Sequence, residues 1–434
     1  MNSNFDSLSK SSPCPLQRGI ATELFIREHR FDDVRKLAFA PSPEGVDLPF
    51  ALSQISGRQV IKTKVPSWYE NDLIIYPKHL SLEQCSSEAT AKYKASLVKG
   101  DSLVDLTGGF GVDCAFMSSP FKSVIYVERS EELCNIAGNN FNVLGLKHIQ
   151  VVHKQAADYL DKISKVDCIY IDPARRDGAG EKVVSIQDCE PNIIELKEQL
   201  LNKAETVMVK LSPMLDISLA LQSLPETTAI HVVSVAGECK ELLFILKNRF
   251  LTSRFLTSSG MSNLPLPSLK GDSVHICCIN ILKSGIVQEF SFLKSEEQCV
   301  IDYTSEPQHF IYEPNASILK AGAYKSIAHV FNLKKLHPDS HLYTSDQLVK
   351  NFPGRIFKFI AAFSFNKKEI KENLNHVEQA NISIRNFPGS VDELRKKLKL
   401  KDGGNIYLFA TTLYNGKKVI LALQTFLNTE TRKT

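Results

Sequence analysis

The stretch DLTGGFGVD, residues 105–113, places three glycines within four positions, between the apolar runs at residues 102–104 and 114–117. Glycine weakens helices and strands, because its backbone loses more conformational entropy on folding than that of other residues. Glycines between two apolar runs are typical of a turn from a buried strand to a helix, where the backbone takes positive φ or passes close to a ligand. We interpret this stretch as a nucleotide-type binding loop.

Short apolar runs alternate with helical patterns on both sides of this loop. The runs are SLVDLT (102–107), SVIYVE (123–128), IQVVHK (149–154), VDCIYID (166–172), TVMVKLS (206–212), AIHVVSV (229–235) and SVHICCINIL (273–282). Near-continuous apolar runs predict strands that are buried on both faces, as in a parallel sheet covered by helices. The sequence therefore predicts an α/β fold with a Rossmann-like doubly wound sheet in residues 96–255.

Three further regions flank this sheet. Residues 1–95 are predicted to be mainly helical, with one helix that begins near Ser81 and continues to the Lys99-Gly100-Asp101 turn. Residues 256–335 are predicted as a small strand-rich domain, and residues 336–434 as a small, basic α/β domain. In the latter, Asn415-Gly416 between two apolar strands predicts a type I′ hairpin.

Composition excludes several classes of protein. The ten cysteines contain no Cys-x-x-Cys pair, which favours reduced core cysteines over a zinc site or a disulfide framework. No run of 18 apolar residues predicts a membrane span, and the polar N-terminal stretch lacks the apolar segment of a signal peptide. We therefore expect a cytoplasmic protein with neither a metal nor a membrane partner; the sequence does not predict its oligomeric state.

Positive charge is concentrated near the C-terminus. From residue 315 onward there are 20 Lys and Arg against 9 Asp and Glu, whereas the whole chain carries 52 against 48. Such asymmetry is typical of a module that faces a polyanion such as a nucleic acid. A solvated basic face without a partner is the alternative.

The glycine pattern differs from the two common phosphate-binding motifs. Cys114 stands where the third glycine of a dinucleotide fingerprint belongs, and the Gly-Lys-Ser/Thr of a P-loop is absent. The pattern is instead Asp105-x-Thr107-x-Gly109-x-Gly111, in which an acid replaces the first glycine. An acid at this point suits a ligand that carries an ammonium group.

These residues resemble the class I S-adenosylmethionine (SAM) methyltransferases, and the resemblance implies that SAM is the cofactor. It implies that Asp105 binds the amino-acid part of SAM, Glu128 at the end of the second strand binds the ribose hydroxyls, and Asp158 lies near the adenine amine. The predicted cofactor-binding residues are Asp105, Thr107, Gly108, Gly109, Gly111, Asp113, Glu128, Arg129 and Asp158.

The fourth strand is followed by Asp172-Pro173-Ala174-Arg175, where amine methyltransferases carry Asp/Asn-Pro-Pro-aromatic. Asp172, Pro173 and Arg175 are therefore the predicted catalytic residues. Ala174 and Arg175 depart from that motif, although a guanidinium can stack on a base or bind a phosphate; a surface charge is the alternative. Arg176, Lys210 and Ser212 are the predicted substrate-binding residues.

Carbon-5 pyrimidine methyltransferases carry a similar Asp-Pro-Pro-Arg motif but need a nucleophilic cysteine. The fifth predicted strand, TVMVKLS (206–212), contains no cysteine. Cys239 lies one strand later, which makes it only a weak candidate for this nucleophile.

Over nearly its full length, the chain resembles the THUMP-like-domain methyltransferases of Bacteroidetes-type bacteria. The stretches that carry this resemblance are SSEATAKYKA, DLTGGFGVD, YIDPARRDG, KLSPMLDI, ECKELL, EPNASILKAGAYK, RNFPGSVDELRKKLKLKDGG and YLFATTL. The resemblance implies a small ferredoxin-like α+β domain, a C-terminal THUMP-like α/β domain and an RNA substrate, tRNA or rRNA. A small-molecule methyltransferase and a non-catalytic RNA-binding protein are the alternatives.

Overall fold

The computed structural model describes residues 19–175, 186–248 and 273–426. The chain divides into two compact units, Met1–Ile171 and Asp172–Thr434. Among the described residues, no helix has the length and apolar character that crossing a membrane requires.

The first unit begins with helices, as the sequence predicts. They are α1 (Ile20–Glu28), α2 (Val34–Ala38), α3 (Leu48–Lys64), α4 (Pro66–Tyr69), α5 (His79–Gln84) and α6 (Glu88–Ser96). The single helix predicted from Ser81 is wrong, because α5 ends at Gln84 and a separate helix begins at Glu88. Cys85 and Ser87 take extended conformations, and the Ser87 side chain accepts a hydrogen bond from the Thr90 N–H, which starts α6 anew.

Four parallel strands form the sheet of the first unit. They are β1 (Ser102–Asp105), β2 (Ser123–Glu128), β3 (Ile149–His153) and β4 (Val166–Ile171), in the order β3-β2-β1-β4. The connecting helices are α7 (Val112–Met117), α8 (Glu131–Val143) and α9 (Ala156–Leu160). This order is half of a doubly wound sheet, in which ligands bind beyond the carboxyl ends of the strands.

The second unit begins with a two-residue pairing of β5 (Ala174–Arg175) with β6 (Cys189–Glu190). Five longer strands follow in the order β7-β9-β8-β10-β11. The elements are α10 (Ile193–Lys203), β7 (Ala204–Leu211), α11 (Ile217–Ser223), β8 (Thr227–Val235), β9 (Glu238–Lys247), β10 (His275–Ile281) and β11 (Val287–Leu293). β9, which the sequence analysis did not predict, runs antiparallel between β7 and β8.

β10 pairs in parallel with β8, and β11 pairs with β10. Residues 275–293, which the sequence analysis placed in the domain at 256–335, thus extend the sheet of β7–β9. The predicted boundary at residue 256 falls outside the described residues and stays a prediction.

A second sheet has seven strands in the order β13-β14-β12-β15-β18-β17-β16. The strands are β12 (Phe310–Pro314), β13 (Lys334–Lys335), β14 (Tyr343–Ser345), β15 (Gly354–Phe363), β16 (Asn381–Arg385), β17 (Ile406–Thr412) and β18 (Lys418–Thr425), and the helices are α12 (Ala316–Ala321), α13 (Ser326–Val330), α14 (Lys367–Leu374) and α15 (Val391–Leu398). Leu374 of α14 and Leu394 of α15 belong to one apolar cluster with Ile420 of β18, so both helices cover the same face of the sheet.

The hairpin predicted at Asn415-Gly416 joins β17 to β18, but its predicted turn type is wrong. A type I′ turn needs positive φ at both central residues, whereas here only Gly416, at 79°, has it. The Gly416 N–H donates to the Leu413 carbonyl, and the Leu413 N–H donates to the Lys417 carbonyl. The loop therefore contains three residues and ends on a left-handed glycine.

A buried carboxylate connects three strands of this sheet. Glu313 of β12, whose side chain is 5% exposed, lies 2.5 Å from Nη2 of Arg355 on β15 and 2.7 Å from Nη2 of Arg385 on β16. Two guanidinium groups balance one carboxylate, which offsets the cost of removing it from water.

We expect Glu313→Gln to lower the free energy of unfolding by about 1–2 kcal/mol, because it replaces charge-assisted hydrogen bonds to two arginines that are 48% and 34% exposed. Asp402→Asn is the matched control, since Asp402 pairs with Arg395 but is 78% exposed, and it should change stability by less than about 0.5 kcal/mol. Urea denaturation of both variants provides the measurement. Equal effects would contradict the assignment of stability to the Glu313 pair.

Candidate cofactor and acceptor sites

Each of the three glycines after β1 has a steric reason. A Cβ on Gly108 would lie 2.1 Å from the ring of Tyr126, so the backbone can pass there only without a side chain. Gly109 and Gly111 have φ of 54° and 86°, in the left-handed region that favours glycine. Gly111 is also the N-cap residue of α7. The loop is thus a tight turn laid directly on β2.

Glu128, the last residue of β2, lies against this loop. Its Oε2 accepts a hydrogen bond of 2.9 Å from the Gly109 N–H, and its Oε1 accepts one of 2.8 Å from the Ser130 N–H. Tyr126 donates its hydroxyl to the Gly109 carbonyl at 2.5 Å. Burial, with a contribution from Glu128, holds the pKa of Tyr126 well above its usual value, so this hydroxyl remains a donor. The carboxylate therefore stands beside the backbone of the glycines.

Asp105, the last residue of β1, stabilises the start of the turn with its side chain. Its side chain is buried, and its Oδ1 accepts a hydrogen bond of 3.0 Å from the Thr107 N–H. The predicted contact of Asp105 with an ammonium group stays a prediction.

Asp113 lies in a polar network inside the protein. Its Oδ2 accepts hydrogen bonds of 2.7 Å from the Ser86 hydroxyl and from the Tyr170 hydroxyl. Its Oδ1 lies 3.1 Å from Nζ of Lys94, a side chain that is fully buried. The predicted role of Asp113 in cofactor binding stays a prediction.

Lys94, Ser86 and Tyr170 are not among the site residues predicted from the sequence. The signal for Lys94 was its helical spacing from Thr90 and Ala91, the other two buried residues of α6. A lysine on the buried face of a helix needs a counter-charge.

The other two predicted cofactor residues lie at the ends of neighbouring elements. Arg129 follows β2 directly, and its carbonyl oxygen is 3.0 Å from Nε2 of His153 at the end of β3. Asp158 is an exposed residue in the first turn of α9. Their predicted roles are not tested by these contacts.

The predicted acceptor residues include one ion pair. Asp172 follows β4, and its Oδ2 lies 2.5 Å from Nζ of Lys210 near the end of β7. Pro173 is buried, and the hydroxyl of Ser212 accepts a hydrogen bond of 3.3 Å from the Met214 N–H. Arg175 contributes backbone to β5, whereas Arg176 lies outside the described residues.

Cys239, the cysteine weighed as a nucleophile, lies in β9. Burial raises its pKa from 9.0 to about 11, so its thiol stays protonated at neutral pH. Within the described ranges, no three His, Cys, Asp or Glu side chains are grouped so that they could hold a metal ion.

Comparisons with known proteins identify the family. A ferredoxin-like domain model matches residues 310–353, and a THUMP domain-like model matches residues 354–424. The crystal structure of a "putative methyltransferase" from Porphyromonas gingivalis W83 is 34% identical, with a TM-score of 0.81, over 94% of this chain and 98% of that chain. A search among curated proteins found no match.

Two smaller solved structures are more distant. An rRNA methylase from Streptococcus thermophilus is 12% identical, with a TM-score of 0.29, over 37% of this chain and 95% of that chain. TrmK of M. capricolum, in complex with S-adenosyl-homocysteine, has the same identity and TM-score, over 37% of this chain and 68% of that chain.

The fold is that of a class I SAM-dependent methyltransferase, and the chain belongs to the family of these enzymes that carries a THUMP-like domain. The cofactor of the enzyme is accordingly SAM. This confirms the predicted family, the fold class and the cofactor. The predicted domain boundaries and site residues stay predictions.

We expect Gly108→Ala to lower the free energy of unfolding by about 2 kcal/mol, since its methyl group would overlap the ring of Tyr126. Gly138→Ala is the matched control. Gly138 lies within α8, where the nearest atom to an added Cβ is 3.9 Å away, so alanine there should raise stability by about 0.5–1 kcal/mol. Thermal denaturation distinguishes the two variants. A Gly108→Ala protein as stable as wild type would contradict the close packing on Tyr126.

Proposed function

We propose that this enzyme transfers the methyl group of SAM to a nitrogen atom of a base in structured RNA, tRNA or rRNA. The observation that carries the choice of RNA is a layer of exposed lysines on the THUMP-like part. Because α14 and α15 cover the same face of the sheet, their outward sides form one surface. The exposed lysines of this surface are Lys367, Lys368, Lys371, Lys396, Lys397 and Lys399.

Some of the acidic side chains on the two helices accept hydrogen bonds from backbone N–H groups of the protein. Glu369 accepts from the Ser364 N–H, and Glu393 accepts from the Ser390 N–H, so both carboxylates cap helix ends. The lysines are thus left facing solvent, where they can bind phosphates. Phosphate contacts of this kind orient a nucleic acid without reading its sequence.

The glycine loop and Glu128 fit the cofactor. SAM supplies a methyl group activated by its sulfonium charge. Glu128 would accept hydrogen bonds from the two ribose hydroxyls. Asp105 would accept hydrogen bonds from the ammonium group, and Asp158 would accept one from the adenine amine. Gly109, where an added Cβ would meet only the Thr107 carbonyl at 3.9 Å, would leave room for the cofactor beside the backbone. The position of the Glu128 carboxylate beside the Gly109 N–H supports this assignment.

Asp172 would orient the acceptor. Its carboxylate accepts an N–H of the base and thereby aims the nitrogen lone pair at the methyl carbon. With SAM bound, its methyl group would pass from sulfur to this nitrogen, and Asp172 or solvent would take the proton that the nitrogen loses. Lys210 balances the charge of Asp172, and Pro173, Arg175, Arg176 and Ser212 would line the acceptor site. The raised pKa of Cys239 argues against covalent attack on a pyrimidine ring.

The proposal is tested by transfer of a labelled methyl group from SAM to RNA. The RNA comes from a host strain that lacks this gene, with RNA from the intact strain as the comparison. We expect label only in the RNA of the deficient strain, and nucleoside digestion then identifies the base. Asp172→Ala should lower the transfer rate at least 100-fold while SAM still binds, because no side-chain oxygen is left to accept the N–H of the base. Asp188→Ala, an exposed change in the same unit, is the control.

SAM binding without label in either RNA would contradict an RNA substrate and would favour a small-molecule acceptor. Full activity of Asp172→Ala would contradict the assigned acceptor site. Changing Lys396 and Lys397 to Glu should raise the KM for RNA and leave SAM affinity unchanged. An unchanged KM would remove the lysine surface from the proposal.

A second prediction concerns the cofactor alone. Glu128→Ala should weaken SAM binding at least tenfold, because a carboxylate that holds two ribose hydroxyls makes charge-assisted hydrogen bonds. Glu131→Ala, an exposed change at the start of α8, should leave affinity unchanged. Isothermal titration calorimetry measures both, and equal affinities of the two variants would refute the ribose assignment.

A further inference from the structure

Asp113, near the start of α7, contacts two other parts of the first unit. Ser86 and Lys94 come from the helical region before the sheet, and Tyr170 comes from β4. Lys94 also donates a hydrogen bond of 3.0 Å to the Ser86 hydroxyl. Lys94 and Tyr170 are almost fully buried, with 0% and 1% exposure. Asp113 itself is only two residues beyond the last glycine of the loop.

A second contact holds the same loop from the same side. Phe110, between the glycines, is 3% exposed. Its ring lies edge-on to Trp68 of α4, at 5.1 Å between centroids, and 6.4 Å from Tyr76. Phe110 and Asp113 therefore anchor the loop on both sides of Gly111.

Such anchors matter because of the glycines themselves. Gly109 and Gly111 have little steric restraint on φ and ψ, so the loop conformation depends on what its neighbours impose. A buried ion pair fixes the positions of the residues that form it. The low dielectric strengthens the attraction, and a charge that moved away from its partner would be left buried and unpaired at a high cost in free energy. Apart from Tyr170 of β4, the neighbours that impose the loop conformation here belong to the helical region at residues 48–96.

We propose that this helical region is part of the cofactor site, and that Lys94, Ser86 and Tyr170 are positioning residues that act on SAM binding through Asp113. They hold the start of α7, and with it Gly109 and Gly111, in the conformation that admits the cofactor. The same network attaches the loop to β4, the strand that Asp172 follows. The inference rests on the proposed function only in placing SAM at the glycine loop.

The test uses changes that remove a single polar group. Tyr170→Phe removes one hydroxyl and keeps the ring, and Ser86→Ala removes the other. Each should weaken SAM binding by at least fivefold in calorimetry at a temperature where the protein is fully folded. Lys94→Met should weaken it further. Lys92→Met is the matched control on α6, because Lys92 pairs with Glu88 at the surface, where its side chain is 63% exposed, and its affinity should equal that of wild type.

A double variant provides a readout that packing alone would not move. In the Lys94→Met protein, Tyr170→Phe should add less than twofold, because residues of one network act together. Wild-type affinity in both Tyr170→Phe and Ser86→Ala would overturn the inference, whatever their melting temperatures. If wild-type protein fails to bind SAM, the proposed cofactor site falls, and this inference falls with it.

Discussion

The close approach of Gly108 to Tyr126 is the constraint on which the cofactor site depends. Parallel pairing places Asp105 opposite Tyr126, so the turn after β1 must pass over that ring. Side chains two apart on a strand point to the same face of a sheet. Tyr126 and Glu128 therefore point the same way, and the packing that brings the loop onto the ring also brings the Gly109 N–H to the Glu128 carboxylate. One contact between a backbone and a ring thus sets the position of the acid.

Much of the fold could be predicted from the sequence, because its strands are nearly uniform apolar runs. All seven predicted strands of the large sheets are present. β9 could not be predicted, because its first residues, Glu238-Cys239-Lys240-Glu241, have the composition of a surface loop. The break between α5 and α6 was also missed, since Ser86-Ser87 permits a helix, and the capping hydrogen bond depends on backbone geometry.

Sequence patterns suggest candidate site residues most directly at the ends of strands, whereas contacts between helices are harder to predict. Asp105, Glu128 and Asp172 follow apolar runs, and the carboxyl ends of parallel strands share one edge of a sheet. Lys94 and Asp113 lie 19 positions apart in the sequence, and no sequence pattern connects them. Only the fold brings them within 3.1 Å, and only burial shows that the pair is not a surface ion pair. A sequence pattern shows that a charged side chain is present, whereas the residue that it pairs with is determined by the packing of the fold.

The two family matches in the C-terminal part share a single sheet. The ferredoxin-like match ends at residue 353 and the THUMP-like match begins at residue 354. Across that border, β12 pairs along its length with β15, and Glu313 holds Arg355 and Arg385 of the following segment. Without the ferredoxin-like segment, one edge of β15 would lose its hydrogen-bond partner, and without the THUMP-like segment Glu313 would lose both of its arginines. We therefore expect the two segments to be inherited together as one recombination unit.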